Sequence, residues 1–394
     1  MSLLGTTSGT IRVMIVDDSA LIRAAFAKLV QEDPGLSLFA VASDPFDAVG
    51  KMASVMPDVL LLDLELPRMD GLTFLRKIMA QSPLPVVVCS SHSKKGSDVM
   101  LRALELGAAE VLAKPDLSSP EAWADAAMKI GHALRAAVQS GRGGRRRREG
   151  GFRVFDRPDT ADATPRKPQV HVASAIHSAP GEKFTADVVM AHQPPRPAPR
   201  SDPLVAIGAS TGGTEALREV IGALPHNAPA ILVVQHMPRE FTAAFANRLD
   251  SLSQMTVLEA TDGHALRRGE VLIAPGNYHM LLQRSGQGYR VEVMQGPYVS
   301  RHRPSVDVLF RSTAQAAAQN ALGILLTGMG DDGATGLGEM RAAGARTLAQ
   351  DEETSIVFGM PREAMRRGAA MAALPLDAMV GEIMAWDVRA GARL

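Results

Sequence analysis

Twice along this chain, short and nearly continuous apolar runs alternate with amphipathic stretches of helical length, and no other feature narrows the possible folds so far. The first series is IRVMIV, LSLFAVA, DVLLLD, PVVVCS and AEVLAK; the second is LVAIGAS, AILVVQHM, EVLIAP and ALGILLTG. Strands apolar on both faces belong to parallel sheets, because a parallel pair needs a crossover and the crossover helices cover the sheet. The first series predicts a five-stranded parallel α/β domain, and the second a further doubly wound domain with TEALREVIGAL and TAAFANRLD among its helices. Between them, GRGGRRRREGG, PRKP and PPRPAPR stand in a stretch with few large apolar groups and no sustained period. Such a stretch cannot bury enough surface to order itself and reads as a linker. The fold class is therefore α/β, two doubly wound parallel-sheet domains joined by a long flexible linker. We place the first domain at 11–130, a helix end and disordered linker at 131–200, and the second domain at 201–394. A chain of 394 residues can bury a core in each, and a tether of ~60 residues would reach roughly 40 Å, enough for the two to dock or separate.

Composition removes several functions. Lys plus Arg and Asp plus Glu are both 42, so there is no global attraction to nucleic acid or a membrane surface. The arginines at 145–148 come with no recognition helix or aromatic platform, and no nucleic-acid partner is expected. Cys89 is the single cysteine, which excludes an internal disulfide and suits a reducing compartment. MSLLGTTSGT lacks the basic start and apolar core of a signal peptide, and no apolar run approaches the ~18 residues of a span. The expectation is a cytoplasmic monomer without membrane insertion.

Residues closing the strands of a parallel sheet gather on one edge and are read together. In the first domain these are Asp17 and Asp18, Asp63, Ser90, and Lys114 followed by Pro115. Single aspartates at strand ends often cap the next helix, but capping does not explain a lysine at the fifth strand end. Three clustered carboxylates need a cation, and an all-oxygen site with few protein ligands suits Mg²⁺. Lys114 adds a charge that could pair with a phosphoryl group.

In the second domain, VAIGASTGGTEAL carries G-x-S-x-G at Gly208, Ser210 and Gly212, a turn that would lift the Ser210 hydroxyl above the sheet edge. Ser210 or Thr211 could equally cap the next helix. One strand-helix-strand repeat later AILVVQHMP ends in His236, which taken alone is as easily a core or surface histidine. LLTGMGDDGATG holds G-x-G-x-x-G at Gly328, Gly330 and Gly333 after a strand, with Asp351 and Glu352 placed as a ribose-binding acid would be, a pattern of dinucleotide-binding folds. Asp331 and Asp332 oppose that reading, since they put carboxylates where a pyrophosphate would meet a helix N-terminus. A carboxylate there can instead orient an imidazole that takes the serine proton. Amides near Met329 and His236 could face the resulting oxyanion, and Thr211 and Met329 are the candidate oxyanion or substrate contacts.

VDDS, LLDLELPRMDG, VCSS and AKP resemble the receiver domains of response regulators, a flavodoxin-like fold. The resemblance implies that Asp63 accepts a phosphoryl group from a histidine kinase, that Asp17, Asp18, Asp63 and the carbonyl of Glu65 hold Mg²⁺, that Ser90 and Lys114 contact the phosphoryl group, and that Lys114–Pro115 is cis. Many receivers have an aromatic switch residue where this chain has Val111. GASTGG, VVQHMP, APGNYHM, RHRPSVDVLF and LTGMGDDGA are similar to the chemotaxis protein-glutamate methylesterases, whose catalytic domain is Rossmann-like. That resemblance implies a phosphorylation-activated hydrolase with Ser210 as nucleophile, His236 as base and Asp332 as carboxylate, acting without a catalytic metal. It would demethylate glutamate γ-methyl esters, and deamidate specific glutamines, on chemoreceptor cytoplasmic helices. The alternative is a response regulator whose output domain binds DNA or a partner without catalysis.

Overall fold

The computed structural model describes residues 10–53, 55–90, 94–115, 119–144, 183–194 and 202–391. In the first domain the strands β1 (Ile11–Val16), β2 (Leu36–Ala42), β3 (Val59–Leu62), β4 (Val86–Ser90) and β5 (Glu110–Ala113) alternate with α1 (Ala20–Glu32), α2 (Pro45–Met52), α3 (Gly71–Gln81), α4 (Lys94–Glu105) and α5 (Pro120–Gly144). The strands form one parallel sheet in the order β2-β1-β3-β4-β5. Helix starts follow local chemistry, with Ser19, Asp44 and Asp70 accepting first-turn amides as N-caps of α1, α2 and α3. All four residues of β3 and all five of β4 are buried, as a strand covered on both faces requires.

The second domain runs β6 (Leu204–Ala209), α6 (Gly213–Gly222), β7 (Ala230–Gln235), α7 (Arg239–Leu252), β8 (Thr256–Glu259), β9 (Glu270–Ile273), β10 (His279–Ser285), β11 (Gly288–Met294), α8 (Val306–Ala316), β12 (Ala321–Leu325), α9 (Ala334–Ala342), β13 (Arg346–Gln350), α10 (Met360–Arg366), β14 (Ala372–Leu374) and α11 (Ala378–Gly391). Seven strands form a parallel sheet, β14-β13-β12-β6-β7-β9-β8, while β10 and β11 pair antiparallel outside it. Chain order reverses between β6 and β12, which places a crevice outside their carboxyl ends.

The stretch between the domains is not structureless throughout. Its Arg run and its Pro-rich PRKP lie outside the described residues, but 183–194 docks on the second domain. Ala186 is buried there with Leu281, Val299 and Val308, and Val188, Val189 and Met190 pack against them. Arg311 ties this strap down through Asp187 and the carbonyl of Met190. A few apolar side chains in a polar segment are too sparse to give a period, yet they find a matching surface. Among the described residues no helix is long and apolar enough to cross a membrane.

Candidate functional site

At the carboxyl edge of the first sheet, Asp17, Asp18 and Asp63 each bring a carboxylate oxygen within 4.8 Å of the others. The Lys114 ammonium lies 2.6 Å from Asp63 Oδ2 and 2.9 Å from Asp17 Oδ2. Burial works against charge on Lys114, but its bonds to Asp63 and Asp17 outweigh that and raise its pKa. Burial raises the Asp63 pKa by more than the Lys114 hydrogen bond lowers it. Three carboxylates against one ammonium leave the pocket with an excess of negative charge, which fits a hard divalent cation. Ser90 is buried at the end of β4, where its carbonyl accepts the Lys114 amide at 2.8 Å. The Glu65 amide donates to Asp63 Oδ1 at 3.2 Å. Val111 is buried, and Lys114–Pro115 is trans rather than cis, the cis bond among the described residues being Arg303–Pro304.

The crevice of the second sheet gathers Ser210 after β6, His236 after β7 and Asp332 after β12. Ser210 sits on a tight turn, its amide donating to the Thr327 carbonyl at 3.0 Å and its carbonyl accepting the Gly213 amide at 2.6 Å. Gln235 steadies the turn from below, its buried amide donating to the carbonyls of Ser210 and His236 at 3.0 and 3.2 Å. Close approach explains one glycine of the G-x-G-x-x-G pattern: a Cβ on Gly328 would lie 2.7 Å from Ser210 Cβ.

Asp332 Oδ2 is 2.8 Å from His236 Nε2. The same carboxylate accepts the Ser305 hydroxyl and the amides of Val306 and Asp307, at 2.8 to 3.0 Å, so it caps the N-terminus of α8. Burial opposes its ionisation, but His236 and these donors hold the Asp332 carboxyl well below the usual range. Beside it, burial and the charge of Asp332 push Asp307 up to about 7. His302 stacks on His236 with ring centroids 3.6 Å apart and planes within 5°. Burial, helped by His236, pushes its pKa down to about 3, so the stacked ring stays neutral.

Ser210 and His236 are not hydrogen-bonded to one another, and His236 Nδ1 is buried without a partner among the described residues. The His236 amide does not face the crevice: it donates to the Ala209 carbonyl at 3.1 Å, because His236 continues the ladder between β6 and β7. The amides of Thr211 and Met329 have no partner among the described residues, and both residues line the crevice. Sequence reasoning missed Gln235, His302, Ser305 and Glu110. Two of these stand in the RHRPSVDVLF motif, but nothing in that string reveals a ring stack or a shared carboxylate.

The first domain lies over this crevice. Residues from β5 and α5, including Glu110, Lys129 and His132, join Ser210, Thr211 and His236 around a cavity of about 460 Å³. The Thr211 hydroxyl donates to the Glu110 carboxylate at 2.8 Å. Further out, α4 packs on α7, and Arg248 pairs with Glu105 at 2.9 Å. Lys129 and Arg303 stand over the Tyr298 ring at 5.5 and 4.6 Å.

Residues 13–120 match the response regulator receiver domain family and residues 205–383 the CheB methylesterase family. A protein-glutamate methylesterase/protein-glutamine glutaminase of Cereibacter sphaeroides (group 3 operon) is 53% identical over 96% of this chain and 95% of its own. One from Anaeromyxobacter dehalogenans is 50% identical over 96% and 98%. The crystal structure of the Thermotoga maritima CheB methylesterase catalytic domain is 38% identical, covers 46% of this chain and 97% of that one, and has a TM-score of 0.46.

Proposed function

The chain belongs to the protein-glutamate methylesterase/protein-glutamine glutaminase family, a receiver domain followed by a CheB methylesterase domain, and on that premise we propose that Ser210, His236 and Asp332 are its catalytic residues. The observation that carries this reading is the fully buried Asp332 carboxylate, held by His236 on one side and by the start of α8 on the other, in the crevice that also holds Ser210.

Ser210 Oγ attacks the γ-carbonyl carbon of a glutamyl methyl ester while His236 takes its proton. Asp332, ionised at any physiological pH, favours the charged imidazolium that results. The amides of Thr211 and Met329 stabilise the oxyanion. His236 then returns the proton to the departing methoxide, methanol leaves, and water cleaves the acyl-Ser210 by the same route in reverse. A glutamine side chain follows the same path with ammonia as the leaving group. The substrate glutamates and glutamines belong to chemoreceptor cytoplasmic helices.

Asp63 is the phosphoryl acceptor, with a histidine kinase as donor and Ser90 and Lys114 against the phosphoryl oxygens; Asp17, Asp18, Asp63 and the Glu65 carbonyl would hold Mg²⁺, which would offset the negative charge of the transferring group. A phosphoryl group adds about −1.5 to −2 charge. Lys114, drawn to it from Asp17, shifts the end of β5, and the first domain leaves the crevice. Methanol release from methylated receptor cytoplasmic fragments, with and without a small-molecule phosphodonor, tests the proposal. Wild type should turn over and be stimulated, while a folded Ser210→Ala variant should release none in either state. Turnover by that variant would remove Ser210 from the mechanism.

A further inference from the structure

The Glu110 carboxylate has no hydrogen-bond or ion-pair partner within its own domain among the described residues. Its bond is to Thr211 of the other domain, the residue after Ser210. Glu110 lies at the start of β5 on the wall of the interdomain cavity, which Ser210, His236 and Met329 also line. Burial there raises its pKa, against the pull of the Thr211 hydrogen bond and of His236. A side chain placed at a cost in solvation, whose bond among the described residues crosses a domain boundary, is poorly explained by the stability of the first domain. Its chemistry is that of the reaction's own product, since hydrolysis of a glutamyl methyl ester leaves a glutamate γ-carboxylate in this crevice.

We propose that Glu110 is a built-in product mimic: in the closed form its carboxylate fills the subsite that receives the γ-carboxyl group of a receptor glutamate, and the Thr211 hydroxyl is the donor that recognises both. This rests on the assignment of Ser210 and its neighbours as the esterase site. A carboxylate has no leaving group, so the plug is inert to Ser210. The first domain thus inhibits by occupying the subsite as well as by covering it. Lys114 directly follows the same short strand, its amide bonded to the Ser90 carbonyl at 2.8 Å, so a phosphoryl group on Asp63 that pulls Lys114 pulls the strand carrying the plug.

The test uses the full chain and methanol release from methylated receptor fragments. Without phosphodonor, Glu110→Ala should raise kcat/KM roughly tenfold, the weight of one hydrogen bond to a charged group, through a lower KM at unchanged kcat. Glu110→Asp, a methylene too short to reach Thr211, should behave like Glu110→Ala. With phosphodonor all three proteins should converge, which also shows that the variants fold. As a control, Arg248→Ala breaks a pair across the same boundary away from the crevice, and should change the unphosphorylated rate less than about threefold. Labelling of Ser210 by a fluorophosphonate should rank the proteins in the same order. Glu110 variants as slow as wild type would overturn the proposal while leaving the esterase site in place. So would Arg248→Ala accelerating as much as Glu110→Ala, which would make Glu110 one docking contact among several. Turnover by Ser210→Ala would instead remove the premise, and the proposal with it.

Discussion

Asp332 has no exposed surface and receives donors from His236, Ser305, Val306 and Asp307, whereas its neighbour Asp331 is 24% exposed and points away to Lys183 and Arg367. The two are chemically identical and adjacent, so burial and partners separate their roles. Asp332→Asn would set an amide against the amides of α8 and deprive His236 of its counter-charge. Methanol release should then fall steeply, toward the ~10⁴-fold seen for such a change in a well-studied triad. Asp331→Asn loses surface ion pairs worth roughly 0–1 kcal/mol and should stay within a few fold of wild type. Kinetics of the two purified variants decide it, and the opposite ranking would reassign the carboxylate. The pair was visible in the sequence. The family resemblance singled out Asp332, but the physical cause of the asymmetry was not visible, because Ser305 and Val306 reach Asp332 only through the fold.

At the scale of elements, the N-terminus of α8 is the part that the proposed catalytic carboxylate leans on, and His279 at the start of β10 braces the approach to it. His279 Nδ1 accepts the Ser305 amide at 3.3 Å, and Nε2 donates to the Pro297 carbonyl at 2.8 Å. Burial outweighs the Pro297 bond and pushes its pKa down to about 4. A histidine that is neutral in the fold but titrates near 6.5 when unfolded contributes stability that is complete above pH 6.5 and is lost as pH falls toward 4. The loss from this residue is about 3 kcal/mol. His302, with its pKa down to about 3, adds in the same direction. Urea unfolding of the full chain at pH 7.5, 6 and 4.5 should show the midpoint falling. His279→Gln should flatten that fall and leave the part due to His302. An unchanged pH profile in the variant would show that His279 is not the group responsible. The strands of the first domain were legible nearly to the residue because each is a short apolar run between turns. The β10–β11 hairpin went unread although Ser285-Gly286 marks its turn and Tyr289-Arg290-Val291-Glu292-Val293 alternates, because the strands were read from the continuous apolar runs of parallel sheets and this antiparallel pair has none.

For the whole molecule, the proposed function makes the boundary between the domains the regulatory surface. If the first domain inhibits by covering the crevice, severing the chain should release the second. The strap at 183–194 packs on the second domain, so the cut belongs between 150 and 180, where the released fragment keeps it. That fragment should release methanol faster than the unphosphorylated intact protein. Asp63→Asn should keep basal activity and lose stimulation by phosphodonor. A fragment no faster than the unphosphorylated whole would sink the inhibitory arrangement.

Sequence by itself determined the two parallel-sheet domains and the edge to which Asp17, Asp63 and Lys114 in one, and Ser210 and His236 in the other, are brought, because strand-end positions follow from apolar runs and the connectivity of parallel strands. Tertiary structure decided what distance in the chain conceals: that Ser305 and the start of α8 hold Asp332 against His236, that His302 stacks on His236, that a few apolar side chains of the linker dock, and that Glu110 from the first domain reaches Thr211 in the second. Those contacts join segments far apart in sequence, and each exists only because packing brings two surfaces together that neither segment specifies alone.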